Sequence, residues 1–349
     1  MRVLIVSPRI SGIGGVAQHV FKLVEKLKGR GFDVNIISVE NTFHLPVKGL
    51  YNASFAFSSF WKGLFRRVKG VRYDVVHGHN LPSWFCVKSS GGVVKVLTQH
   101  GVYSEQIRFL HGGFLGFFGG RFESYALRRV DVLTCVSKST YHYYRGIGVN
   151  AIYIPNAIDV EGLPSEGVRL YDKQVVFVGR LSLEKGIDVL LSSLEYLDRD
   201  IHVLIIGSGT KDMEKYVYSY CRRFSNLHFL GYKPRDECLR YVKGSDLLVL
   251  PSRFEGLPTV LLEAMALKVP IIASRIPGVI DVINDSCAIL IEPGNPKLLA
   301  GAIHRCFENY PSEFILKAYD KVQSEFNWKV VLEKYIKLYE DLLVKKRGY

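Results

Sequence analysis

Short apolar runs recur along the chain, and they are continuous rather than alternating. In the first half they are RVLIVS (2–7), DVNIISV (33–39), DVVHGH (74–79), VVKVLTQ (93–99), DVLTCVS (131–137) and NAIYI (150–154). A strand with one wet face alternates apolar and polar residues, so unbroken runs predict strands buried on both faces. Stretches of helical period lie between them, as at 16–28 and 138–146. This β-α-β-α rhythm predicts a parallel, doubly wound α/β sheet. It restarts with QVVFVGR (174–180), IHVLIIG (201–207), NLHFLG (226–231), DLLVLPS (246–252), VPIIAS (269–274) and CAILIE (287–292). Between the two sets, residues 155–172 mix Pro, Gly and acids without a period and read as a linker. The prediction is two Rossmann-like domains, 1–165 and 166–327, facing each other across a cleft. In such sheets ligands bind outside the carboxyl ends of the strands. A final segment, 328–346, places Val331, Leu332, Tyr335, Ile336, Leu338, Tyr339, Leu342 and Leu343 at helical spacing. It reads as an amphipathic helix with Asn327 as its N-cap and a basic end that suits the helix dipole.

Composition narrows the class. With 349 residues and 48% apolar content the chain can bury two cores, which excludes a disordered protein. Its 32 Gly and 13 Pro follow no period, and no internal repeat is visible, which excludes collagen-like arrays and solenoids. The six cysteines never approach C-x-x-C spacing and predict free thiols in a reducing compartment. The apolar run at the N-terminus is too short for a signal peptide, and no stretch is long enough to span a membrane. A cytoplasmic protein is expected. The net charge of +13 is uneven: residues 1–167 hold 20 Lys and Arg against 10 Asp and Glu, and the remainder 26 against 23. That asymmetry favours an anionic partner: a phosphorylated substrate, acidic lipid or nucleic acid.

Three stretches carry candidate chemistry. In SGIGGVAQH (11–19), Gly12, Gly14 and Ala17 satisfy G-x-G-x-x-A, and Glu40 ends the second strand where a ribose-binding acid would sit. That is the nicotinamide fingerprint. The dinucleotide turn follows its strand directly, however, and here residues 8–11 intervene, which favours a glycine loop that brings backbone N–H groups to a ligand at a helix N-terminus. In FVGRLSLEKGIDVLL (177–191), Arg180 and Lys185 flank a loop after a strand. Such a pair can neutralise a diphosphate, or can be two solvated surface cations. In PSRFEGLPTVLLEAMALKVPIIAS (251–274), Glu255 and Gly256 lie in a turn, Pro258 suits the first helical position, and Glu263 follows on the helix. The amides of 257–260 then form an anion site, with one carboxylate at the helix mouth and one on its wall.

Together these residues resemble the retaining glycosyltransferases of the GT-B fold, specifically glycosyltransferase family 4 (group 1). DVVHGHN (74–80), TQHG (98–101), IPNAID (154–159), LIIGSG (204–209), FLGYKP (229–234) and FNWKVVLEKYIKLYEDLL (326–343) extend the resemblance over nearly the whole chain. Residues 40–70 and 105–125 fall outside it; in the family such regions serve the acceptor. The resemblance implies a UDP- or GDP-type sugar donor and no bound metal. Arg180, Lys185, Gly15, Leu257, Pro258 and Thr259 would hold the donor diphosphate. Glu255, with Gly256, would bind the transferred sugar and Glu263 the ribose. Tyr232 and Lys233 would border the base. Gly14, His100 and Gly101 would stand on the acceptor side, His100 by the reacting carbon. His77 and His79 read as structural. The C-terminal helix would pack back on the N-terminal domain. The stereochemistry would be retained by a front-face mechanism, since no carboxylate is placed as a nucleophile.

A last pattern bears on location. In residues 53–72, Phe57, Trp61, Leu64, Phe65 and Val68 share one helical face, flanked by Lys62, Arg66, Arg67, Lys69 and Arg72. This fits an interfacial helix on acidic lipid, or aromatics turned to the core. Residues 109–120, FLHGGFLGFFGG, read as an apolar loop, because five glycines oppose a helix. A membrane-bound helix would favour a lipid-linked acceptor on the inner face of the cell membrane. Two other readings stand beside the transferase: a nicotinamide dehydrogenase using Gly12, Ala17 and Glu40, and a non-catalytic basic protein that binds lipid or nucleic acid. The transferase predicts no nucleic-acid partner.

Overall fold

The computed structural model describes residues 1–10, 14–47, 50–102 and 113–348, the span 113–119 by its backbone alone. The chain divides into two units, Met1–Asn156 with Lys329–Tyr349, and Ala157–Trp328.

The first unit is a six-stranded parallel sheet of β1 (Arg2–Val6), β2 (Asp33–Ile37), β3 (Tyr73–His79), β4 (Gly92–Gln99), β5 (Val132–Cys135) and β6 (Ala151–Tyr153), ordered β2-β1-β3-β4-β5-β6. Each strand coincides with a continuous apolar run because helices cover both faces. These helices are α1 (Gly15–Gly29), α2 (Tyr51–Val68), α3 (Trp84–Ser89), α4 (Gly113–Leu127) and α5 (Lys138–Gly146). Val20, Leu23 and Leu27 of α1 are fully buried, each gaining roughly 1.5–3 kcal/mol from burial. On α2 the buried stripe is Phe55, Ala56, Ser59 and Gly63, all but Phe55 small. Small residues let α2 lie close to α3, where a side chain at Gly63 would meet Ser89, Ser90 and Cys86.

One expectation fails here. Residues 113–120 are not a loop but the first half of α4. Glycine costs about 1 kcal/mol per helical position. The second half of α4 repays that by tertiary contact, with Ala126 and Leu127 buried and Tyr144 Oη donating to Glu123 Oε1 at 2.5 Å. Residues 109–112 lie outside the described residues.

The C-terminal helix, Trp328–Arg347, carries Lys329–Tyr349 into this first unit. Tyr335 and Tyr339 are fully buried beside the sheet, and the Tyr339 hydroxyl meets His77 Nδ1 at 2.6 Å. Ion pairs fasten both ends: Arg30 with Glu333, Lys346 with Asp131 at 2.8 Å and Arg347 with Asp74 at 2.7 Å. Exposed pairs add little each, so the tyrosines carry the docking.

The second unit repeats the plan with β7 (Lys173–Val178), β8 (Ile201–Ile206), β9 (Leu227–Gly231), β10 (Leu247–Leu250), β11 (Ile271–Ser274) and β12 (Ile289–Ile291), ordered β12-β11-β10-β7-β8-β9. Its helices are α6 (Ile187–Ser193), α7 (Lys211–Cys221), α8 (Arg235–Lys243), α9 (Thr259–Ala266), α10 (Pro277–Ile280), α11 (Pro296–Glu308) and α12 (Ser312–Glu325). The stretch before β7 is not loose. Val168 N–H donates to Arg240 O at 2.8 Å, Arg169 holds Asp246 with two 2.9 Å bonds, and the Tyr171 ring stacks on His202 at 3.8 Å.

In both sheets the chain winds one way from the first strand and the other way from a later one. The reversal falls between β1 and β3, and between β7 and β10. At such a point the loops leaving two adjacent strands diverge and leave a crevice at their carboxyl ends.

Tyr339→Phe leaves buried His77 Nδ1 without its partner. It is expected to lower unfolding stability by about 1–3 kcal/mol, read by urea denaturation with near-UV circular dichroism.

Candidate active site

At the β7/β10 reversal the two loops are locked together. Gly186 has φ 69°, and a Cβ there would stand 1.9 Å from Pro251 O, so the backbones touch and only glycine fits. The Arg253 N–H donates to Glu184 O at 2.8 Å, and its guanidinium grips Asp188 with two 2.7 Å bonds. This brings together two predicted residues seventy positions apart: Lys185 Nζ reaches Glu255 Oε2 at 2.6 Å. The pair is secluded, the Glu255 side chain only 5% exposed and that of Lys185 20%. Ser252 Oγ donates to the other Glu255 oxygen at 2.7 Å. Arg180 is further out, 62% exposed and paired with Glu184 at 3.0 Å. Arg253 was not legible as a site residue. It positions Lys185 and Glu255, and a lone arginine beside a strand end gives no sign that its partner lies on another loop.

Leu257 and Pro258 lead into α9, whose helical bonding begins at Thr259. Pro258 is therefore the residue before the helix rather than its first member, because its ψ of 109° is extended. The first turn of α9 holds no acid and no capping side chain, so its amides and dipole remain suited to an anion. Glu263 is buried on this helix, where Arg235 Nε donates to its Oε1 at 3.1 Å and Nη2 forms an ion pair with the same oxygen at 3.0 Å. Burial pushes its carboxyl up from the ordinary range, and the guanidinium pulls it back. Tyr232, 52% exposed, and Lys233, paired with Glu237 at 2.8 Å, follow β9 at the same carboxyl edge of the sheet.

In the first unit, Gly14 precedes α1 with φ 125°, a conformation open to glycine, and Gly15 begins the helix. Gly12 lies outside the described residues. Glu40 is committed to the backbone, accepting from Ile10 N–H at 3.2 Å. Behind the β3 and β4 ends, four buried imidazoles gather. His77 lies between Thr98 Oγ1 and Tyr339 Oη, both at 2.6 Å. His79 Nδ1 and His100 Nε2 share a bond at 3.2 Å, and the His100 backbone N–H donates to Asn80 Oδ1. His19 approaches from α1, its ring 5.6 Å from that of His100. Gly101 is buried directly after His100. Burial lowers His100 to about 4 and His77 to about 3, and holds His19 and His79 well below the ordinary histidine value. All four are neutral near pH 7.

A cavity of about 620 Å³ lies instead at the amino ends of β7 and β8, lined by Arg169, Tyr171, Lys173, Asp200 and His202. Its cations are already paired with Asp246 and Asp200, so it offers no anion site comparable to the reversal point. Among the described residues no three His, Cys, Asp or Glu side chains converge as a metal site.

Residues 13–161 match the family described as Glycosyltransferase Family 4, and residues 164–322 match Glycosyl transferases group 1. An uncharacterized glycosyltransferase of Methanocaldococcus jannaschii is 29% identical, covering 98% of this chain and 99% of its own. The phosphatidyl-myo-inositol mannosyltransferase of Mycobacterium leprae is 26% identical over 94% of this chain and 93% of its own. Among solved structures, the Anabaena protein HepE in complex with UDP-glucose superposes with a TM-score of 0.74 at 15% identity, covering 98% of this chain and all of that one.

The buried histidines make the first unit acid-sensitive. Their folded pKa values lie below the unfolded value of 6.5, so stability is complete above that pH and is lost as pH falls toward about 4. The loss is expected to reach on the order of 1.4 kcal/mol per pH unit for each histidine involved, read as melting temperature against pH.

Proposed function

Since this chain belongs to the glycosyltransferases of family 4, we propose that it is a retaining transferase. It moves a hexosyl group from a nucleotide-diphosphate sugar to a hydroxyl of a glycan or lipid-linked acceptor. The observation that carries the reading is the secluded Lys185–Glu255 pair at the β7/β10 reversal, beside the uncapped first turn of α9. Neither the dehydrogenase nor the non-catalytic binder accounts for it.

In this reading the donor diphosphate takes Lys185 and Arg180 from their carboxylates and rests on the amides of α9. Glu255, released from Lys185, accepts hydrogen bonds from hydroxyls of the transferred sugar. Glu263 accepts from the ribose, and the exposed ring of Tyr232 stacks on the base. As the anomeric bond loosens, negative charge grows on the leaving phosphate and positive charge on the sugar ring. The two cations and the helix amides stabilise the phosphate more in the transition state than in the ground state. The carboxylate of Glu255 favours the ring. No side-chain nucleophile is invoked; the leaving phosphate takes the acceptor proton on the face it vacates. In the first unit, neutral His100 would serve the acceptor, since an uncharged imidazole can hydrogen-bond a sugar hydroxyl. This chemistry calls for no resident metal, because Arg180 and Lys185 supply the positive charge.

A membrane-bound acceptor is supported by α2. Phe57, Trp61, Phe65 and Val68 are 68, 54, 60 and 77% exposed, while Phe55 faces the core. Phe43 and Leu50 extend the exposed apolar surface, and Arg67, Lys69 and Arg72 are exposed around it. Aromatics flanked by cations suit the interface of an anionic bilayer. Among the described residues no helix is long and apolar enough to cross one.

Arg180→Ala and Lys185→Ala are expected each to weaken UDP or GDP binding by about 1.5–3 kcal/mol in calorimetry, with donor hydrolysis lost in parallel. Unchanged affinity in both would overturn the donor assignment. Replacing Phe57, Trp61 and Phe65 together by serine is expected to abolish sedimentation with phosphatidylglycerol vesicles while the melting temperature holds. Equal sedimentation would overturn the assignment of α2 as the membrane-binding surface.

A further inference from the structure

Glu263 is assigned above to the ribose, yet its carboxylate is buried on a helix with no other charge. A buried carboxylate without a counter-ion takes up a proton and ceases to be a pure acceptor. The counter-ion comes from elsewhere in the fold. Arg235 opens α8, three residues beyond Tyr232, and reaches across to α9.

The geometry of the contact is selective. Both guanidinium nitrogens converge on Glu263 Oε1, at 3.1 and 3.0 Å, and among the described residues no hydrogen bond engages Oε2. A bidentate fork would have occupied both oxygens. This one holds a single oxygen, fixes the plane of the carboxylate and leaves the second oxygen as an acceptor. The guanidinium is one-third exposed, so it belongs to the site's wall rather than to the core.

The surroundings offer no substitute. From α8, the thiol of Cys238 and the carboxylate of Glu237 lie near, and neither can neutralise an anion; Glu237 is itself taken by Lys233. Lys243 of α8 donates to Leu267 O beyond the far end of α9. From the α12 side, Lys268 is spent over the Tyr319 ring. The β11 strand, IIAS, holds no titratable group. Arg235 is the one cation bonded to Glu263 among the described residues.

We propose that Arg235 is a positioning residue for nucleotide recognition. By capping one oxygen of Glu263 it keeps the other ionised and aimed at a ribose hydroxyl, and it couples the loop beside the base to the helix beside the ribose. The inference rests on the donor reading above and adds a residue to it. It makes Arg235 a determinant of ribonucleotide over deoxyribonucleotide donors, although it touches neither sugar.

The test is calorimetric, on the full chain, with UDP and 2′-deoxy-UDP, or the guanosine pair if GDP binds more tightly. Wild type is expected to favour the ribonucleotide about tenfold, the scale of one hydrogen bond to a charged acceptor. In Arg235→Gln that preference is expected to shrink to about twofold or less, with the deoxynucleotide affinity nearly unchanged. The variant-to-wild-type affinity ratio for UDP should also worsen as pH falls, because burial raises the Glu263 carboxyl and the variant lacks the guanidinium that pulls it back. Taking the ratio cancels titration of the nucleotide's own phosphate. Arg235→Lys should restore part of the preference. Equal loss of both nucleotides in Arg235→Gln, with a pH-independent ratio, would overturn the proposal while leaving the donor reading intact. A wild type that binds neither UDP nor GDP would instead overturn the donor reading, and this inference with it.

Discussion

The site depends on a close backbone contact. Gly186 lies so near Pro251 that no side chain could stand between them. That contact brings the loop after β7 against the loop after β10, and it is what allows Lys185 to meet Glu255 at 2.6 Å. Arg253 secures the arrangement from the other side through Asp188 and the Glu184 carbonyl. A charge pair this secluded contributes little net stability, since desolvation offsets attraction. Its value lies in pre-organisation. Positive and negative groups are held in place before a ligand arrives, and a ligand with a diphosphate beside a hydroxylated ring can replace each partner with its own atoms.

The same logic runs through the ligand-free site. Arg180 rests on Glu184, Lys185 on Glu255, and Glu263 on Arg235. Every charge that the proposed chemistry uses already has a protein partner. The exposed pair can exchange at small cost, because water screens both members. The secluded pair can exchange only for a ligand that satisfies both ends at once. An isolated phosphate would leave Glu255 buried and unpaired, and an isolated sugar would leave Lys185 so. Such a site discriminates in favour of molecules that carry both groups at the right separation.

The first unit uses a contrasting device. Where the second concentrates charge at its strand ends, the first concentrates neutral imidazoles and hydroxyls. His77, Thr98, Thr134 and Tyr339 form a buried polar chain that anchors the C-terminal helix on the sheet. Burial keeps the histidines uncharged, so this end of the unit presents hydrogen-bonding groups without an electric field of its own. The excess positive charge of the unit sits elsewhere, on its surface and along α2.

Much of the fold was legible from residues alone. Continuous runs such as VVKVLTQ and IHVLIIG could only be strands covered on both faces, and all such runs became strands of two parallel sheets. Lys185, Pro258 and Glu263 could be placed near a strand end and a helix start because loop and helix chemistry are local. What sequence distance hides is partnership. Nothing in EKG and FEG says that their charges meet, and nothing in KPRDE says that its arginine crosses to another helix. Likewise FLGFFGG is a poor helix by propensity and became one only because residues further along α4 are gripped by Tyr144 and the core. Period and capping are set by neighbours along the chain, so the sequence by itself determined the elements and the class of chemistry they could carry. Which carboxylate neutralises which cation, and which face of α2 stays wet, depends on surfaces brought together from far apart; only the tertiary structure decided those.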